Sequence, residues 1–349
     1  MKAARPIRHW AKATTGCLLM TCLFAHAAAE TPGARQVVDD SGHSVTVPHD
    51  PVHIADAWYA HHVLLMTLGA GSRIVATVNH PRSQPWMFKV LPELNTATRV
   101  DGTAFNVEGL LGQHVDLVFT ALADRQSVAY EQVGLPVMRM GYTDLPGLQR
   151  SMLATAQTLG SQTSMARAEA YNRYLDQQAA DVSSRISHVS MEQRPRVLHI
   201  ASINPLKVDG SDTLINEWIK IAGGRNAAVG LRGNMQIVSA EQLLDWQPDV
   251  LILAAGAGHL DQAAQASLLQ QLTAVKNQHV LRNPAGVFPW DRYGTEVALQ
   301  IQWAAKQLHP TLFGDVDIER QTMDFYRQFF DYSLTRSDAG RIVQGLPPE

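Results

Sequence analysis

Cysteine is almost absent. The chain has two, Cys17 and Cys22, both within the first 29 residues, so the rest of the protein has neither disulfides nor thiolate ligands. Long hydrophobic runs are also lacking. The apolar stretch 13–25 falls short of the roughly 18 uninterrupted apolar residues of a spanning helix, and no other stretch approaches that length. Lys2, Arg5, Arg8 and Lys12 precede it and the small-residue segment "AHAAAE" follows. Residues 1–29 therefore read as a secretory signal cleaved after Ala27 or Ala29, which releases a soluble, exported protein. "LMTC" ending at Cys22 is a poor lipidation box, which makes a lipoprotein the lesser expectation.

Positive charge is scarce too. The signal carries four of the 29 basic residues and none of the 32 acidic ones, so the remainder has 25 − 32 = −7 and nucleic acid is not an expected partner. Signatures of catalysis are missing as well: there is no G-x-S-x-G elbow, no H-E-x-x-H helix and no Walker loop. "AAGAGHL" has Gly256 and Gly258 but no third glycine at the dinucleotide spacing. These absences weigh against an enzyme, and an exported metal-dependent enzyme is kept only as the rival of another class.

What is present is a repeat. "NVEGLLGQHVDLVFTA" (106–121) aligns without a gap on "SAEQLLDWQPDVLILA" (239–254), with Glu108 on Glu241 and Asp116 on Asp249. Each copy reads as a short helix capped by Asn106 or Ser239, followed by a buried strand, and Gln242 completes a capping box with Ser239. Upstream, "HIADAWYA" (53–60) resembles "HIASINPL" (199–206). About 320 residues exceed one core, and continuous apolar strands alternating with helices indicate parallel sheets covered on both faces. The fold class is α/β, with two Rossmann-like lobes linked by one long backbone helix. The expected divisions are a signal at 1–29, an N-terminal lobe at 30–150, a connecting helix at 151–190 and a C-terminal lobe with terminal helices at 191–349.

Within the connector, Ala168, Tyr171, Leu175, Ala179, Val182, Ile186 and Val189 recur at steps of three and four, the pattern of a helix over 162–189, about 40 Å long at 1.5 Å per residue. Such a rod permits little hinge motion. Segment 30–50 reads as a hairpin turning at Asp-Ser-Gly-His. "ALQIQWAAKQLHP" and "IERQTMDFYRQFFDYSLT" read as two terminal helices.

The opening hairpin, the "NVEGLL...DLVF" unit, the single long helix, "VSAEQLLDWQPDVLIL" and "WAAKQLHPTLF" followed by "FYRQFF" resemble the periplasmic substrate-binding proteins of ABC importers for iron-siderophore complexes and cobalamin. The resemblance implies a ligand in the cleft between lobes and a partner permease dimer with its ATPase. It also implies one exposed glutamate per lobe for docking on that permease, here Glu108 and Glu241. A monomer without a covalently bound cofactor is expected.

Ligands of open α/β sheets sit beyond the carboxyl ends of strands, which makes the post-strand loops the candidates. "DAWYAHH" offers Trp58, Tyr59, His61 and His62; "NHPRSQPW" offers His80, Arg82 and Trp86; "MGYTD" offers Tyr142. The second half offers Lys207 and Asp209, Arg232 and Met235, and, in a loop that faces the ligand in the family, Trp290, Arg292 and Tyr293. Aromatic faces suit the organic part of a chelate and the planar arginine fork suits its anionic groups. Adjacent helix residues point about 100° apart, so His61 and His62 do not share an ion, but one of them is a candidate metal ligand. An anionic Fe(III) siderophore is the first expectation, a nickel or cobalt chelate the second, and heme or cobalamin remain open.

Overall fold

The computed structural model describes residues 33–349, and the expected signal lies outside the described residues. Arg35–Val38 (β1) and Ser44–Val47 (β2) pair antiparallel as the expected hairpin, and Gly42 takes φ 85° in its turn. The first half continues through β3 (Ile54–Asp56), α1 (His61–Thr67), β4 (Ile74–Thr77), α2 (Pro85–Val90), β5 (Thr98–Arg99), α3 (Val107–Gly112), β6 (Leu117–Ala121), α4 (Ser127–Gln132) and β7 (Val137–Met140). Two helices follow, α5 (Leu145–Leu159) and α6 (Gln162–Arg185). The second half runs through β8 (Arg196–Ile203), β9 (Leu206–Val208), α7 (Leu214–Ile221), β10 (Arg225–Asn226), β11 (Gln236–Ile237), α8 (Ala240–Trp246), β12 (Val250–Leu253), α9 (Ala266–Leu269), α10 (Thr273–Lys276) and β13 (Val280–Arg282). It closes with α11 (Val297–Leu308), α12 (Ile318–Phe329) and α13 (Arg336–Val343).

The first sheet has the order β5-β4-β3-β6-β7 with every pair parallel. The second has the order β11-β9-β8-β12-β13, with β10 also on β8. Its β8, β10, β12 and β13 are parallel, but β9 runs antiparallel to β8 and β11 antiparallel to β9. Only Asn204 and Pro205 separate β8 from β9, and so short a link closes a hairpin rather than a crossover.

The 106–121 and 239–254 copies form the same unit. Asn106 and Ser239 cap α3 and α8 through their side chains, and the Ser239–Gln242 capping box is made. The shared aspartates have a common task. Asp116 accepts from the main-chain N–H groups of Val52 and His53 at 2.9 and 3.1 Å, and Asp249 accepts from that of Arg196 at 2.7 Å. Each ties its strand to the entry of the central one. The same contacts correct the upstream alignment by three residues. Ile54 pairs with Leu117, whereas Val197, not Ile200, pairs with Val250. Asp56 is therefore the counterpart of His199, and both side chains are fully buried.

The connecting helix also differs from expectation. Residues 151–159 belong to α5, which stops where Gly160 turns left-handed at φ 76°; a Cβ there would run into the Arg35 side chain and the His49 carbonyl. Ser161 then caps α6, whose 24 residues contain neither Gly nor Pro and end at Arg185, four residues before the expected limit of 189. Ala168, Tyr171, Leu175 and Val182 of α6 are fully buried. They belong to a hydrophobic cluster that continues through α1, α5, α7, α11 and α12 and so draws on both halves. Outer faces of the two sheets carry separate clusters. Polar braces accompany the shared cluster: Tyr171 Oη donates to the Thr295 carbonyl at 2.8 Å, and Arg167 donates to the carbonyls of Thr67 and Phe329 at 2.7 Å each. Among the described residues no helix is long and apolar enough to cross a membrane.

Candidate functional site

Beyond β3 and β7 of the first half, and before α11 of the second, three aromatic rings meet. Trp58 and Tyr142 lie edge to face with centroids 5.6 Å apart, Tyr142 and Tyr293 are 5.6 Å apart, and Trp58 and Tyr293 are 6.4 Å apart. Tyr142 Oη donates to the Tyr293 carbonyl at 2.6 Å, and Asn234 Nδ2 donates to Tyr293 Oη at 2.5 Å. Burial raises the pKa of both phenols, so they act here as neutral hydrogen-bonding groups.

Arg292, beside this cluster, forms a two-pronged pair with Asp209: its two terminal nitrogens lie 3.0 and 3.1 Å from the carboxylate oxygens. The guanidinium is 14% exposed and Asp209 fully buried. Burial opposes the charge on Arg292, but the carboxylates of Asp291 and Asp209 outweigh it and raise its pKa. Burial likewise opposes the Asp209 charge, and His199 and Arg292 outweigh it and hold the carboxyl well below the usual range. Asp209 also accepts the Met235 N–H at 2.9 Å, which holds Met235 in the left-handed region at φ 58°. Strained non-glycine backbone of this kind clusters at functional sites.

Behind the pair lies His199, with Nδ1 2.7 Å from Asp209 Oδ2 and Nε2 2.7 Å from Asp291 Oδ2. The loop carrying Asp291, Arg292 and Tyr293 is fixed from beneath by Glu296. That buried carboxyl accepts from the N–H groups of Val287 and Phe288, from Trp290 Nε1 and from Tyr326 Oη, at 2.6 to 3.2 Å.

The structure thus brings together Trp58, Tyr142, Arg292 and Tyr293, with Met235 at 3.8 Å from Arg292 through its sulfur. Other expected residues lie apart. His61 and His62 are fully buried, which overturns their assignment as candidate metal ligands. The Asp56 carboxylate below α1 draws both rings inward, at 2.9 and 3.2 Å, and Thr155 and Thr77 take up the remaining nitrogens at 3.0 and 2.7 Å. Trp86 is core: its Nε1 donates to the Leu346 carbonyl at 2.9 Å and fastens the C-terminal segment to α2. Trp290 is fully buried against Glu296. His80 lies 3.0 Å from the Val100 carbonyl, and Tyr59 Oη donates to the Gly102 carbonyl at 3.3 Å. Arg82 is exposed, Lys207 sits half-buried on β9, and Arg232 pairs with Asp212 at 2.6 Å. Glu108 and Glu241 are exposed in the first turns of α3 and α8. Among the described residues no cluster of three or more His, Asp or Glu side chains is arranged to hold an ion.

Sequence reasoning missed Asn234, His199, Asp291 and Glu296. Asn234 stood inside "LRGNMQ", and Asp291 between Trp290 and Arg292. His199 was hidden by the shifted alignment, because only the corrected register places it opposite Asp56.

The chain belongs to the periplasmic binding protein family, whose model matches residues 59–285. The molybdate-binding protein MolA of Haemophilus influenzae is 26% identical over an alignment covering 93% of this chain and 99% of the relative. Its solved structure with molybdate superimposes with a TM-score of 0.77 at 21% identity, covering 86% of this chain and 99% of that one. The Helicobacter pylori CeuE structure with Ni(II) bound gives a TM-score of 0.73 at 16% identity, covering 88% and 99%.

Proposed function

We propose that this periplasmic binding protein captures a compact anionic metal species, a molybdate-type oxyanion first, and delivers it to an ABC permease dimer driven by its ATPase. The observation that carries the reading is Arg292, an obligate cation fixed by Asp209 at the edge of a cluster of neutral hydrogen-bonding aromatics. A guanidinium held in this way offers its remaining N–H groups to an anion without losing freedom on binding. Trp58, Tyr142 and Tyr293 exclude water around it and strengthen that attraction. Mutual contact of the three rings favours a small cargo, and the relationship to MolA supports the same class. Residues 1–29 supply the export signal in this reading.

An anionic Fe(III) chelate is the second reading, favoured by the aromatic faces themselves, which suit an organic shell. Titration calorimetry with molybdate, tungstate, ferric hydroxamate, ferric catecholate and nickel–histidine discriminates between the two. Saturable binding of an oxyanion that Arg292→Ala abolishes supports the proposal. Binding of a ferric chelate alone replaces it with the second reading, and binding of any of these that ignores Arg292 sinks both.

A further inference from the structure

We propose that His199, which does not face the cleft, is a positioning residue whose bound proton holds Arg292 ready for the anion, so that cargo capture is coupled to the protonation of this buried imidazole. The inference rests on the proposed anion site and adds to it a second layer.

Four groups form the unit: His199 on β8, Asp209 after β9, and Asp291 and Arg292 in the loop before α11. The imidazole is fully buried between two fully buried carboxylates, each 2.7 Å from one ring nitrogen. Both nitrogens therefore face acceptors, and only the doubly protonated ring can donate to both. With that proton the unit holds two negative and two positive charges and is neutral. Without it, the unit as a whole carries a net negative charge, one imidazole nitrogen opposes a carboxylate oxygen, and the hold on the carboxylates that fix Arg292 loosens. Trp218 of α7, which meets the ring edge to face at 6.1 Å, supplies no charge, and Tyr293, next to Arg292 in the chain, carries a neutral phenol. Burial opposes the imidazolium, but hydrogen bonds and charge from Asp209 and Asp291 outweigh it, so the ring titrates above its ordinary range.

The other half has a buried polar residue at the same place with opposite polarity. Asp56, the counterpart of His199 on the central strand, accepts from His61 Nδ1 and from the Trp58 N–H at 3.1 Å, and so orients the loop that carries Trp58. Each lobe thus sets its ligand-facing loop from the same position of its central strand.

The test uses the mature chain labelled with nitrogen-15, alone and with sodium molybdate as probe. Imidazole spectra should show both His199 nitrogens protonated at pH 7, and the Arg292 Nε–H signal should lose its protection as pH rises through the His199 transition. Molybdate affinity should fall roughly tenfold across that transition, the effect of about one pKa unit of linkage. His199→Gln should abolish this pH step; Asp291→Asn, which keeps the imidazole and Asp209, should move it to lower pH. A singly protonated His199 at pH 7, or an Arg292 signal indifferent to its titration, overturns the proposal. If molybdate does not bind wild type at any pH, the ligand class fails, and the imidazole and guanidinium signals alone decide the coupling.

Discussion

Tyr142 Oη donates to the main-chain carbonyl of Tyr293 at 2.6 Å, which joins the loop after β7 to the loop before α11 across 151 residues of sequence. This bond closes one side of the cleft, whereas α6 and the shared hydrophobic cluster hold the other. If cargo enters between these loops, as proposed, opening would break a local polar contact and leave the large apolar core intact. Tyr142→Phe keeps the ring and removes one neutral hydrogen bond, whose net worth is about 0.5–1.5 kcal/mol. Release of bound molybdate, followed by Trp58 fluorescence in stopped flow, should accelerate by roughly two- to tenfold, with association little changed. An unaltered release rate would show that the complex does not contain this bond.

Arg292, the cation of the proposed anion site, also holds Asp209. Removing one partner of a buried pair leaves the other charge uncompensated and costs about 3–5 kcal/mol. Arg292→Ala should therefore lose anion binding and also unfold at clearly lower urea concentration. Arg292→Lys restores the charge but not the two-pronged geometry. It should recover most of the stability and little of the affinity. Full recovery of both by lysine would reduce the guanidinium fork to a point charge.

Much of the fold was legible in the chain because it is written locally. Caps at Asn106 and Ser239, the apolar stripe of α6 and the turn at Gly42 are short-range devices whose physics does not depend on the rest of the molecule. The candidate site was legible only in part. Trp58, Tyr142, Arg292 and Tyr293 come from post-strand loops, as topology demands, but nothing local separates Trp58 from Trp86 or Trp290. Their fates depend on distant acceptors, the Leu346 carbonyl and the Glu296 carboxylate. The histidine pair misled for the same reason: Asp56 claims both rings, and a buried aspartate at a strand end looks in sequence like a loop residue. Residues 336–343 form a third terminal helix, although the Thr335–Asp338 capping box that opens it was present in "TRSD".

Glu296 gives stability a pH dependence of definite sign. Burial pushes its carboxyl from 4.5 up to about 7, against the favourable hydrogen bonds from Tyr326, Phe288, Trp290 and Val287. A folded-state pKa above the unfolded one means that the neutral acid is the form favoured by folding. Its contribution is fully present below pH 4.5, is lost as pH rises toward 7, and is constant above that. The loss is at most about 3–4 kcal/mol. Glu296→Gln mimics the neutral acid and should flatten this part of the profile. Urea unfolding of both proteins from pH 4 to 8 measures the difference, and parallel profiles would place the carboxyl near its ordinary value.

Glu108 and Glu241 occupy matching places in the two halves. Each stands two residues beyond a side-chain cap, Asn106 or Ser239, in the first turn of a short helix, and each is exposed. A first-turn carboxylate gains about 0.3–1 kcal/mol from the helix dipole, so their placement has a local reason. That reason does not account for both copies of the repeat presenting the same charge outward. A permease dimer with two-fold symmetry offers one equivalent patch to each half, and rim charges of this kind govern encounter and orientation more than buried affinity. The double change Glu108→Ala, Glu241→Ala should therefore leave molybdate affinity near wild type and cost no more than about 1–2 kcal/mol of stability. Cellular accumulation of the cargo through the cognate importer should fall sharply. Arginine at both places should lower it further, because a patch that docks on glutamates is expected to be cationic and would then meet like charge. Normal uptake by the double alanine variant would remove these carboxylates from docking, and loss of molybdate binding would instead place them in the path of the ligand.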